Sequence, residues 1–323
     1  MPAQFIATLL IAFLITFFLT PFVKKAALFF KAIDQPDQRK VHATPTPRWG
    51  GLSIFIGISL SLILAYYFAP SFRKSLFEDG HLRELGAIFI ACLIMLIVGI
   101  LDDLKPMKAR IKLLFQIAAA CLLISQGVKV SFITNPMNHR IIYLGHYTGE
   151  ILSLLWIIGI TNALNLLDGL DGLLVGISTI SAATLFIAAF SKGYYFPAFI
   201  LTALGGASLA FLRYNFNPAQ IFLGDAGSLF IGILWASLSI AGALKSSTIT
   251  FFVPLLILGI PIADTLFAIG RRFKKKQSIF EPDKEHLHHR LLGMGWSQRK
   301  AVLILYAVSL IAGVLALLAN HWF

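Results

Sequence analysis

Long apolar runs recur along this chain and are separated by short polar segments. A helix that crosses the hydrocarbon core of a bilayer needs roughly 20 predominantly apolar residues. Ten stretches meet or approach that length: 4–22, 50–69, 84–101, 111–127, 150–167, 173–191, 197–213, 227–244, 249–270 and 300–319. The fourth is the shortest, and the fifth runs directly into a polar motif. Pro261, just before Asp264, predicts a kink where the ninth helix leaves the bilayer. Between the fourth and fifth runs, Val128 to Tyr147 carries β-branched and aromatic residues around Asn135-Pro136-Met137-Asn138, which predicts a small hairpin. No internal repeat divides the chain. The pattern therefore predicts an all-α polytopic membrane protein in which residues 1–323 form a single domain.

Composition strengthens the membrane reading, because 58% of residues are hydrophobic and 13% charged, more apolar surface than a soluble domain hides. The first run lacks a small-residue cleavage site and is long enough to span, so it reads as a helix rather than a leader. Cys92 and Cys121 both lie inside apolar stretches and read as packing residues. A formal charge of +12 raises the question of nucleic acid, but the cations sit in short loops between apolar runs, which argues for topology instead. Of the 27 Lys and Arg residues, 20 fall in the alternate segments 23–49, 102–112, 168–172, 213–226 and 271–300. The positive-inside rule places those segments in the cytoplasm and both termini outside.

The same segments carry the chain's chemistry. The first reads Asp34-Gln35-Pro36-Asp37-Gln38-Arg39-Lys40-Val41-His42, then Pro45-Thr46-Pro47-Arg48-Trp49-Gly50-Gly51. Its cations and its Gly-Gly suit an anionic ligand approaching backbone, although an anchoring loop would look similar. Asp102 and Asp103 follow the apolar Ile97-Val98-Gly99-Ile100-Leu101, at the helix end where the dipole disfavours anions; this points to a cation or a proton. Lys112 and Gln116 come one turn apart on a single face. In Asn162-Ala163-Leu164-Asn165-Leu166-Leu167-Asp168-Gly169-Leu170-Asp171-Gly172, the polar residues repeat every three positions and supply the hard oxygens that Mg²⁺ prefers. Tyr214-Asn215-Phe216-Asn217 leads to Phe222-Leu223-Gly224-Asp225, where Asp225 reads either as a helix cap or as a carboxylate presented to a metal. Finally, His286, His288 and His289 with Arg290 read as phosphate contacts, since few carboxylates and no cysteine accompany them.

Together these five motifs, in order and over nearly the whole chain, resemble the polyprenyl-phosphate N-acetylhexosamine-1-phosphate transferase family. The Pro-Arg-x-Gly-Gly loop and the His-Leu-His-His-Arg segment are similar to its TagO/WecA-type members, which transfer GlcNAc-1-phosphate from UDP-GlcNAc to undecaprenyl phosphate. The MraY-type members, which use a phospho-MurNAc-pentapeptide donor, carry His-His-His-Phe-Glu there and are the alternative. The resemblance implies ten helices, a homodimer, a cytoplasmic active site in the plasma (inner) membrane, and Mg²⁺, with Mn²⁺ as a substitute. It implies Asn165 and Asp225 as metal ligands, and a catalytic set of Asp102, Asp103, Lys112, Asp168, His286, His288 and His289. It further implies substrate contacts from Arg48, Gly50, Gly51, Asn162, Asp171, Asn215, Phe222 and Arg290, with Phe222 stacked on uracil and Asp171 beside it. An ion-coupled transporter is the competing class. Its carboxylates are expected near the bilayer midplane, whereas here only Asp264 approaches a span interior.

Overall fold

The computed structural model describes residues 2–36, 44–134, 141–240 and 294–322. Among them are ten α-helices and two short β-ribbons. Helix α1 (Pro2–Phe29) leads through β1 (Ile33–Asp34) and β2 (Thr46–Pro47) to α2 (Gly50–Phe68) and the short α3 (Pro70–Phe77). Then come α4 (Leu82–Leu104), α5 (Ala109–Ser125), the ribbon β3 (Phe132–Thr134) and β4 (Ile141–Tyr143), and α6 (His146–Leu167). Helices α7 (Leu173–Ser191), α8 (Tyr195–Asn215), α9 (Gly224–Ile240) and α10 (Gln298–Trp322) complete the described chain.

Seven of these helices are long and apolar enough to cross a membrane: α1, α2, α4, α6, α7, α8 and α10. Helices α5 and α9 have 17 residues each, and the expected span 249–270 lies outside the described residues. The chain is a multi-pass membrane protein. Its outer surface agrees, because Phe22, Leu114 and Leu155 are each more than 60% exposed, an arrangement that lipid tolerates and water does not. Helix α1 has 28 residues against 19 expected. At 1.5 Å per residue it reaches about 42 Å, longer than the roughly 30 Å apolar core, so one end projects beyond it. Helix α3 has no counterpart in the apolar pattern. It begins because Ala69 is extended and Pro70 occupies the first helical turn, where a missing N–H costs nothing.

Helix α9 is the axis of the bundle. Every residue from Ala226 to Ile240 is buried, including Trp235 and Phe230, as expected for a helix that is apolar all round. It packs against α2, α4 and α6. Close approach depends on glycine: a side chain on Gly51 would strike the Gly227 backbone, one on Gly99 that of Asp225 and Ala226, and one on Gly232 that of Thr161. Helices α1, α2 and α7 surround α8, and α10 packs on α7. The expected hairpin is present as an antiparallel pair, with Phe132 opposite Tyr143 and Thr134 opposite Ile141. The β1–β2 ribbon pairs Ile33 with Pro47 and Asp34 with Thr46, folding the first polar segment back toward the start of α2.

Candidate active site

The N-terminal end of α9 meets the C-terminal end of α4, and most of the polar motifs converge there. Asp102 and Asp103 belong to the last turn of α4 rather than to the loop beyond it, and both are buried. Consecutive helical residues point about 100° apart, so the two carboxylates face different partners. Asp102 turns toward α5: Oδ1 accepts the Met107 N–H at 2.6 Å and Oδ2 accepts Lys112 Nζ at 3.0 Å. Lys112 also donates to Asp225 Oδ2 at 2.9 Å, so one ammonium bridges two carboxylates from distant parts of the chain.

Asp103 turns toward α9. Its Oδ1 accepts the Asp225 N–H at 3.0 Å and its Oδ2 the Ala226 N–H at 3.2 Å. A carboxylate from another helix thus satisfies two of the four donors that a helix start leaves without partners, and it meets the positive end of the dipole. Gly224, at φ 74°, lies against this carboxylate, where a side chain would collide with it. On the other side Arg48 Nη1 donates to Asp103 Oδ1 at 3.3 Å, and Nη2 pairs with Asp34 on β1. Burial works against the Arg48 charge, but Asp34 and Asp103 outweigh it and raise its pKa, so the guanidinium stays ionised.

The turn that carries Arg48 is held by backbone. Gly50 and Gly51 donate their N–H groups to the Phe222 and Leu223 carbonyls, both at 3.0 Å, and Phe222 N–H donates to the Pro47 carbonyl at 2.8 Å. A side chain on Gly50 would also collide with the Phe211 ring. The close approach that Gly-Gly permits is therefore to the chain's own segment just before α9. Trp49 adopts a φ of 81°, rare for a bulky residue, so its surroundings hold the turn.

Asn165 completes the cluster from α6: Nδ2 donates to Asp225 Oδ1 at 3.2 Å and to Ser228 Oγ at 2.8 Å. Its Oδ1 meets no donor among the described residues. Two groups that carry hard oxygen atoms, the Asp225 carboxylate and the Asn165 amide, therefore adjoin each other. No group of three or more His, Cys, Asp or Glu forms a metal site among the described residues. Mg²⁺ nonetheless fits this pair, because it is commonly held by one or two protein oxygens together with substrate phosphates and water.

Asp168 ends α6, three residues after Asn165. Burial, reinforced by the negative charges of Asp225 and Asp103, raises its carboxyl well above the usual carboxylate range despite the opposing pull of Arg48. Asp171 Oδ2 accepts hydrogen bonds from Asn217 Nδ2 at 3.0 Å and Ala219 N at 3.1 Å. Phe222 lies in the segment between α8 and α9, donates its N–H to the Pro47 carbonyl, and is half-buried.

Two more of the expected substrate contacts, Asn162 and Asn215, are also hydrogen-bonded within the protein. Asn162 and Gln116 exchange hydrogen bonds at 2.7 and 3.2 Å and join α6 to α5 one turn from Lys112. Asn215 is buried; its Oδ1 accepts Gly172 N–H at 3.1 Å and its Nδ2 donates to the Ile221 carbonyl at 3.0 Å. It braces the loops on either side of α8's end. His286, His288, His289 and Arg290 lie outside the described residues. Sequence reasoning missed Ser228, Gln298 and Tyr306 as parts of this region. Ser228 follows Asp225 by three residues, close to one helical turn, whereas nothing in the pattern marks Gln298 or Tyr306.

The fold and the cluster define a multi-pass membrane protein with a carboxylate-rich, cation-bridged polar site at one end of its helices. Residues 85–243 match the model of glycosyl transferase family 4. The chain is 39% identical over 315 residues, 97% of its length and 84% of the relative's, to a probable undecaprenyl-phosphate N-acetylglucosaminyl 1-phosphate transferase of Bacillus subtilis. It is 37% identical, over 92% of its length and 77% of the relative's, to a decaprenyl-phosphate N-acetylglucosaminephosphotransferase of Mycolicibacterium smegmatis. With an undecaprenyl-phosphate alpha-N-acetylglucosaminyl 1-phosphate transferase of Escherichia coli K12, identity is 30% over 94% of this chain and 82% of the other. The chain belongs to glycosyl transferase family 4.

Proposed function

We propose that this protein transfers GlcNAc-1-phosphate from UDP-GlcNAc to undecaprenyl phosphate, giving undecaprenyl-diphosphate-GlcNAc and UMP. The observation that carries the reading is the meeting of Asp102, Asp103, Lys112, Asn165 and Asp225 at one end of α9, in a chain whose relatives bear the names of such transferases. In the reaction, an acceptor phosphate oxygen bonds to the donor's β-phosphorus while the bond from that phosphorus to the bridging oxygen of UMP breaks. One diphosphate is lost and one is formed, so catalysis consists mainly of positioning and of neutralising charge.

Residues of this chain divide that work. Lys112 and Arg48 bring positive charge to a site that must hold two anionic substrates. Asp102, bonded to Lys112 and beside Asp225, would take a remaining acceptor proton. Asp225 and Asn165 would hold Mg²⁺, which when bound supplies Lewis-acid neutralisation of the diphosphate. Phe222 would stack on uracil and Asp171 would accept a hydrogen bond from it. His286, His288, His289 and Arg290 would contact the diphosphate or the sugar.

The isoprenoid acceptor accounts for the membrane setting, because burial at about 0.8 kcal/mol per CH₂ keeps a long tail in the bilayer. The ten apolar runs support ten spans, and the distribution of Lys and Arg supports termini outside and the site at the cytoplasmic face of the plasma (inner) membrane. Homodimer formation is implied by the family resemblance. The test is release of UMP from UDP-GlcNAc by the purified chain. Release that needs both Mg²⁺ and undecaprenyl phosphate supports the proposal; release from UDP-GlcNAc with neither added would defeat it.

A further inference from the structure

The expected uracil contact, Asp171, is held in place by the last helix. Asn217 Nδ2 has two hydrogens and both are engaged: one goes to Asp171 Oδ2 at 3.0 Å and the other to Gln298 Oε1, in the first turn of α10, at 2.7 Å. Arg299 Nε donates to the Asn217 carbonyl at 3.0 Å. Farther along α10 the Tyr306 hydroxyl donates to the Gly172 carbonyl, and its ring occupies the space a side chain on Gly176 would need. Helix α10 thus grips both loops that flank Asp171.

These bonds leave the carboxylate with one defined free edge. Asp171 Oδ2 is filled by Asn217 Nδ2 and Ala219 N–H. Among the described residues no donor meets Oδ1. Uracil offers an N3–H donor on its pairing edge, whereas cytosine offers an acceptor at the same atom. A carboxylate fixed with one oxygen outward therefore favours the former. Without an acceptor at 298, the Asn217 amide can rotate, and Asp171 is left with the Ala219 N–H as the one donor of the two that still fixes its orientation.

We propose that Gln298 is a positioning residue for pyrimidine selection: acting through Asn217, it holds Asp171 Oδ1 toward the base and so supports preference for uridine over cytidine. This rests on the transferase reading above. The test uses UMP and CMP as probes, with binding to the purified full chain measured by calorimetry. Wild type is expected to bind UMP at least about tenfold more tightly than CMP, as a site built around a hydrogen bond does. Gln298→Met keeps the side-chain length and loses the oxygen. It is expected to weaken UMP binding about three- to tenfold, the scale of one hydrogen bond, with CMP binding unchanged. Gln298→Glu keeps an acceptor and is expected to restore the preference. In turnover, Gln298→Met should raise KM for UDP-GlcNAc and leave kcat within about twofold. A Met variant with the wild-type UMP-to-CMP ratio overturns the inference alone, as does one in which both nucleotides weaken together. Wild type that binds both nucleotides alike overturns it too. Wild type that binds neither overturns the transferase reading and this inference with it.

Discussion

Asp103 and Asp225 are joined by a hydrogen bond in which a carboxylate on α4 accepts the backbone N–H of the residue expected to hold the metal, at 3.0 Å. The bond, with its neighbour to Ala226, fixes where the Asp225 side chain begins. It also separates the roles of the two adjacent aspartates, since Asp102 turns to Lys112 instead.

Asp103→Ala removes the cap from α9 and leaves two buried N–H groups without acceptors, which costs about 1–3 kcal/mol. Asp103→Asn keeps one acceptor oxygen and should lose less. Thermal unfolding in detergent is expected to rank wild type above Asn and Asn above Ala. Equal melting of all three would remove the capping role.

Asp225→Asn loses the carboxylate that Lys112 and the proposed Mg²⁺ site share. Transfer should fall by more than tenfold, at least about 1.4 kcal/mol of barrier, with the folded chain retained on gel filtration. Thermal stabilisation by added Mg²⁺ should disappear in parallel. Activity above a tenth of wild type would reassign the metal ligand.

Phe222→Ala should raise KM for UDP-GlcNAc by about five- to a hundredfold, from base–aromatic stacking of about 1–3 kcal/mol. Stacking acts in ground and transition states alike, so kcat should change far less. A loss confined to kcat would make Phe222 a support for the segment between α8 and α9.

Asp168 offers a pH test. Its carboxyl is raised in the folded chain by burial and by neighbouring carboxylates. The folded state therefore binds this proton more tightly than the unfolded chain, whose value lies near 3.9. Stability falls as pH rises from that value through the raised one, and the cost persists above it. Asp168→Asn should melt higher than wild type at neutral pH in chelator, with the gain fading toward about pH 4. A gain that grows with acidity would contradict the assignment. Activity should fall while stability rises, as happens when strain is stored at a working site.

The membrane class and most of the cluster were legible in the chain. Asn165, Asp225, Asp102 and Lys112 were each marked by polar atoms where an apolar run ends, and the structure brings these four together. Lengths were less legible, because hydropathy locates the part of a helix in lipid while the backbone continues beyond it. Helix α1 therefore extends through Lys24 and Lys25, and α4 through Asp102 and Asp103. Partner choice was the least legible. Asn162 and Asn165 share a face by their spacing, yet Asn162 is taken by Gln116 and Asn215 by two loop backbones, because a buried amide must be satisfied by whatever folds against it. The engagement of Gln298 depends on α10 returning to α7, which no local pattern encodes.

The pairing of Arg48 with Asp34 and Asp103 bears on how the protein is made. All three residues lie within the first 104 positions, whereas the N–H groups that Asp103 finally caps begin at residue 225. Chains are synthesised from the N-terminus, so α4 enters the membrane well before α9 exists. The turn that carries Arg48 is itself held by the backbone of Phe222 and Leu223, so a site drawn from both halves of the chain closes only once the segment leading into α9 has been made.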